Sequence, residues 1–285
     1  MSPRAVPLAL LGLATTAAVA TAAAGPNVKV QARAGYGGGT CVDVTVDGKL
    51  VQDTICPPPS DLAVRTLSSG AYTIYYGATH RRVILTFRRN RVIVTPTADG
   101  VYAVAVKGTP PLGAIKAGSA ERDVDPFGLP GRRATVLTVT DESHRRARLV
   151  AAAPKILSGA GRKRALCTGL QLPGAASPGR TSCATNRRRF VVRFSSKCAE
   201  KRQLIYGFAP ASIRSARALS TDGGTRPLKV TRIPRRVGRP GVVVTGLVTG
   251  APARTVKGYA SNGRELASVT LTGGCSASKT RSKIR

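Results

Sequence analysis

Tryptophan is absent from the 285 residues, methionine occurs once and histidine only twice. Aromatics make up 4% of the chain. Tyr75, Tyr76, Phe87, Tyr102, Phe190, Phe194 and Tyr206 fall inside apolar, strand-like runs, where they read as core. That reading is preferred to one as a stacking platform of the kind that neutral sugars or single-stranded bases require. His80 and His144 offer little to imidazole catalysis or metal ligation, and no Cys-x-x-Cys pair exists to hold zinc. Carboxylates are scarce too, with 13 Asp and Glu against 45 Lys and Arg and a formal charge of +32. No apolar run after residue 24 reaches the length of about 20 residues that spans a bilayer.

Catalytic motifs fail in the same way. Ala175-Ala-Ser177-Pro-Gly179 lacks the first glycine of a nucleophile elbow. Gly108 to Gly113 has P-loop spacing, but Ala114-Ile-Lys116 follows where Lys-Ser/Thr is required. Asp123, Asp125, Asp141 and Glu142 could supply paired carboxylates for glycoside hydrolysis, yet nothing in the sequence brings two of them together. No catalytic residue and no cofactor site is assigned.

What the chain does contain is itself, twice. Cys41-Val-Asp-Val-Thr-Val-Asp-Gly48 with Cys56 reappears as Cys167-Thr-Gly-Leu-Gln-Leu-Pro-Gly174 with Cys183. Ala63-Val-Arg65 and Ser68-Ser69 match Val191-Val-Arg193 and Ser195-Ser196. Ile74-Tyr-Tyr-Gly77 matches Leu204-Ile-Tyr-Gly207, and Gly131 to Thr138 is set beside Gly263 to Thr270. Self-similarity at a spacing that drifts only from 126 to 132 residues is read as a tandem duplication.

Between the matches, short branched runs such as Val83–Phe87, Val92–Thr95 and Val101–Val106 are punctuated by turn pairs. Asp47-Gly48, Asp99-Gly100, Asp222-Gly223-Gly224 and Asn262-Gly263 supply the positive φ angles of tight hairpins. The expected fold class is all-β, as two tandem β-sandwich-like domains over 27–142 and 160–275. Residues 143–159 read as an exposed basic linker, in which only 145–157 has a short helical pattern. Residues 276–285 read as a disordered basic tail. Residues 1–24 read as a secretory signal peptide: one charge at Arg4, a weakly apolar stretch from Ala5 to Ala20, then small residues suited to cleavage.

Six cysteines in an exported chain imply up to three disulfides. The repeat pairs Cys41 with Cys56 and Cys167 with Cys183, each closing a loop of about 15 residues worth roughly 3 kcal/mol in the chain-entropy view. Cys198 and Cys275 have no counterparts in the first repeat, so they are expected to pair with each other.

The charge points to a partner. Of the basic residues 33 are Arg and 12 are Lys, and a surface this positive attracts polyanions such as wall polymers or nucleic acid. The candidate anion-binding residues are Arg235, Arg236 and Arg239, on a Pro- and Gly-stiffened insertion, with Arg187, Arg188 and Arg189 extending the patch; guanidinium groups grip phosphate or carboxylate bidentately. Glu121, Asp123 and Asp125 would share a face if extended. A calcium site there lacks the glycine and downstream glutamate of an EF-hand loop, and ion pairs with nearby arginines are the alternative. The functional expectation is a secreted, non-catalytic surface protein in which each domain contacts an anionic polymer. Its rivals are a protein-interaction module whose charge serves solubility or wall retention, and an enzyme acting on wall or matrix polymers.

Overall fold

The computed structural model describes residues 25–34, 40–55, 62–159 and 161–272, as 23 β-strands with two short 3-10 turns and no α-helix among them. Branched and aromatic residues favour the extended backbone, and the turn pairs break it where expected. Between β2 (Thr40–Val46) and β3 (Lys49–Ile55), Asp47 and Gly48 have φ of 50° and 80°. Two consecutive positive φ angles match the right-handed twist of the flanking strands.

Strand pairing follows one scheme twice. In the first half β1 (Val28–Ala34) pairs with β2 and β2 with β3. β4 (Arg65–Ser69), β5 (Tyr72–Ala78) and β8 (Val101–Lys107) form a second sheet. The third has the order β10 (Ala120–Asp123), β9 (Leu112–Ala117), β6 (Val83–Phe87), β7 (Arg91–Val94). In the second half β12 (Arg146–Ala152), β15 (Leu166–Gln171) and β16 (Gly179–Ala184) are joined as β1, β2 and β3 are. β17 (Val191–Lys197), β18 (Arg202–Ala209) and β21 (Val242–Thr249) follow β4, β5 and β8. β23 (Glu265–Thr270), β22 (Ala253–Tyr259), β19 (Ser215–Ser220) and β20 (Thr225–Arg232) follow β10, β9, β6 and β7. Among the differences in the second half, β20 also pairs with β21, fusing two sheets into one of seven strands.

Central strands are covered on both faces. Ile74 and Tyr76 of β5 enter one apolar cluster with Val42, Val44 and Val101, while Tyr75 enters another with Val83, Leu85 and Phe87. β18 does the same: Leu204, Tyr206 and Phe208 face one cluster and Ile205 the other. This is why Ile74-Tyr-Tyr and Leu204-Ile-Tyr read as continuous apolar runs instead of alternating ones.

Two expectations are corrected here. Residues 143–159 are not an exposed linker and hold no helix. They contain β12 and part of the hairpin β13 (Lys155–Ser158) and β14 (Gly161–Arg164), and Ala147, Leu149 and Ala151 are fully buried. Bonding between two neighbours is what overrides the alanine-rich pattern, because β12 is hydrogen-bonded to β11 (Arg133–Thr140) on one side and β15 on the other. The match of Gly131–Thr138 to Gly263–Thr270 does not share a partner either, since β11 lies beside β12 but β23 beside β22.

The β11–β12 turn is built on Asp141, whose carboxylate is buried and accepts bonds from the Ser143 and Arg145 backbone amides at 2.9 and 2.7 Å and from Arg145 Nε at 2.9 Å. Burial opposes its ionisation, but these donors outweigh it and hold the carboxyl below its ordinary value. A depressed folded-state pKa gives stability that is complete above the ordinary carboxylate range and is lost as pH falls through the folded value. Asp141→Asn is therefore expected to be less stable than wild type at pH 7, with the difference shrinking toward pH 3. Urea unfolding at graded pH measures it, and a constant difference would contradict the role of ionisation.

Cys167 and Cys183 are bonded directly across β15 and β16, with Cα atoms 4.1 Å apart. Cys41 and Cys198 are also disulfide-bonded, while their expected partners Cys56 and Cys275 lie outside the described residues, as do 1–24 and 276–285. Among the described residues no helix is long and apolar enough to cross a membrane.

Candidate anion-binding cleft

A cleft of about 760 Å³ lies where the end of the first half meets the second. Arg91 reaches it from the start of β7, and Arg132 from the connection that leads into β11. Lys155, Arg162 and Arg164 come from the β13–β14 hairpin, and Val237 and Gly238 from the end of the 3-10 turn Arg235–Val237. Buried Leu129 and Val237 contribute apolar surface to its wall. Low-dielectric walls strengthen the field of the charges around them.

One cation in the cleft is neutralised, and its role is structural. Arg162 Nε lies 3.0 Å from Glu121 Oε1, its Nη2 bonds the same carboxylate and Asp123 at 2.9 Å, and its Nη1 bonds the Lys155 carbonyl at 2.8 Å. Asp123 also accepts from the Leu157 amide at 2.7 Å. These bonds latch the β13–β14 hairpin onto β10. Asp125 accepts from the Phe127 amide at 2.8 Å and from the Ser177 hydroxyl. Each of the three carboxylates once considered for calcium is thus engaged by protein donors, and among the described residues no group of three His, Cys, Asp or Glu converges.

Arg91, Arg132, Lys155 and Arg164 are exposed, and none of them takes part in an ion pair among the described residues. Two arginines near the lining residues in sequence also have like-charged neighbours. Burial, then the nearby Arg133 and Arg89, lowers the pKa of Arg88 on the β6–β7 hairpin. On the insertion, burial and then Arg187 and Arg164 lower that of Arg239. Cations gathered without compensating carboxylates repel one another, and a bound anion relieves that repulsion.

The six arginines singled out in the sequence divide. Arg235 and Arg236 are exposed on the 3-10 turn, and Arg187, Arg188 and Arg189 are exposed before β17. Arg187 does approach the insertion, as its influence on Arg239 shows. Arg239 itself is only 6% exposed and spends its guanidinium on the carbonyls of Arg164 and Thr185. It is an internal strut that ties the insertion to β14 and to the end of β16, and its reading as a surface anion ligand is corrected. The cleft cations Arg91, Arg132, Lys155 and Arg164 were missed. The only sequence signals for the three arginines were the basic turn Arg88–Arg91, the pair Arg132-Arg133 and the run Arg162–Arg164, each of which alone reads as a solvated face, and Lys155 had none.

Of the other polar groups weighed for catalysis, Glu142 and His144 make local contacts, although Glu142 Oε2 is buried with no hydrogen-bond partner among the described residues. Glu142 accepts from the Ser195 hydroxyl. His144 Nδ1 lies 2.8 Å from Arg202 Nη1, and Nε2 lies 3.8 Å from Glu200. Comparison with family models, curated proteins and solved structures finds no match to this chain.

Proposed function

We propose that this is a secreted, non-catalytic protein that holds anionic polymers at the cell surface. It is read as a tandem duplication whose two halves meet at the binding cleft. The observation that carries this reading is four exposed cations, Arg91, Arg132, Lys155 and Arg164, around one hollow whose single carboxylate among the described residues, Glu121, is already paired with Arg162. The repeated pairing scheme supports the duplication, and the Cys167–Cys183 bridge suits an oxidising compartment. Each half is read as a stack around a doubly covered middle sheet. In place of two separate domains each gripping the polymer, one composite cleft draws its side chains from both halves.

Binding of the mature protein to isolated cell envelope, followed as salt is raised, tests the reading. Displacing counterions at four sites gives a slope of about −3 in log affinity against log salt, or roughly a sixty-fold loss between 50 and 200 mM. Binding that ignores salt, or no binding, would refute electrostatic capture and direct the search to protein partners.

A further inference from the structure

A second basic hollow, of about 310 Å³, shares a lining residue with the first. Its rim carries the exposed side chains of Arg214, Arg232 and Arg235, and none of these is in an ion pair among the described residues. Gly238 lines both hollows. At that residue φ is 78°, and a β-carbon would meet no atom within 4 Å, so no side chain stands at the residue that the two hollows share. Buried Arg239 holds the turn from beneath through the Arg164 and Thr185 carbonyls, and exposed Arg236 stands on the turn itself.

Building on the cleft reading, we propose that the two hollows form one track that holds a single unbranched polyanion across Gly238. The chemistry of the lining narrows the ligand. All the unpaired cations of the track except Lys155 are arginines, whose planar forks take two oxygens of one oxyanion. Among the described residues no aromatic side chain lines either hollow, so none of them offers a nucleobase a face to stack upon. The ligand class is therefore a flexible linear chain with oxyanions recurring along a base-free backbone, of which linear polyphosphate is the simplest probe. A single small anion occupies one hollow, whereas a chain long enough to pass Gly238 gains the second at high effective concentration.

The test is a titration with linear polyphosphates of about 3, 10 and 45 units, alongside an oligonucleotide of equal charge, on wild type and on Arg232→Ala/Arg235→Ala. Both substituted side chains are exposed, so the variant keeps the fold, and circular dichroism confirms it. The expected result is an affinity gain of at least about ten-fold between the shortest and longest chains. That gain should vanish in the variant while the shortest chain binds both proteins alike. A length gain undiminished in the variant, or none in wild type, overturns the track but leaves the cleft reading standing. Tighter binding of the oligonucleotide overturns the base-free ligand class. Failure of every polyphosphate to bind removes the cleft reading itself.

Discussion

Replacing Arg91, Arg132 and Arg164 together by glutamate is expected to weaken polyanion binding by a thousand-fold or more at low salt. Each reversal removes an attraction and adds a repulsion, and the three positions share one hollow with Lys155. Association that depends on several simultaneous phosphate contacts falls by orders of magnitude when those contacts are lost. The informative comparison keeps net charge equal. Reversing Lys29, Lys107 and Arg254, exposed residues on β1, β8 and β22 that do not line the cleft, changes the total by the same amount. That control should lose only the diffuse contribution of the whole-molecule field, which salt screens over about 8 Å. Equal losses in the two variants, measured by fluorescence anisotropy with labelled polyphosphate, would show that binding is spread over the surface, and the cleft would lose its claim.

The second large effect concerns the fold. Gly207 closes the run Leu204-Ile-Tyr-Gly in the middle of β18, and a β-carbon there would lie 2.1 Å from the Val191 carbonyl oxygen and 2.8 Å from Val192 Cα. Both obstacles are backbone of the paired strand β17, so no side chain can swing aside. Gly207→Ala must push β17 off β18, and overpacking of a filled core typically costs about 1–3 kcal/mol. A value near 3 kcal/mol is expected here. Gly77, at the same place in β5, meets the Ala63 carbonyl oxygen at 2.6 Å and behaves similarly. Gly161→Ala serves as the reference, because nothing lies within 4 Å of its β-carbon, and it should leave the thermal midpoint nearly unchanged. If Gly207→Ala melts with Gly161→Ala, the close strand approach is not a constraint.

These two outcomes differ in how visible their causes are in the amino-acid string. The matching glycines and the apolar runs before them are local signals, so strands, hairpins and the Cys167–Cys183 bridge could be read directly. The run Ala147-Arg-Leu-Val-Ala-Ala152 could not. Alanine and leucine are strong helix formers, and only pairing with β11 and β15 makes the segment a buried strand. The cleft was hidden for a related reason. Its cations lie on β7, the β10–β11 connection and the β13–β14 hairpin, and only tertiary folding brings those segments together. Arg239 shows the opposite failure. Within Arg235-Arg-Val-Gly-Arg239 its charge looks like its neighbours', but Val237 and Arg239 turn inward while Arg235 and Arg236 stay in solvent.

The place of β11 changes where this chain can be divided. By sequence Arg133–Thr140 closes the first half, yet it is hydrogen-bonded to β12 of the second. A half-molecule starting at residue 143 would leave one side of Arg146–Ala152 with its amides and carbonyls unsatisfied, an open template for a neighbouring copy to bond onto. A fragment that begins upstream of Arg133 keeps β11 beside β12 and so brings its own cover for that edge.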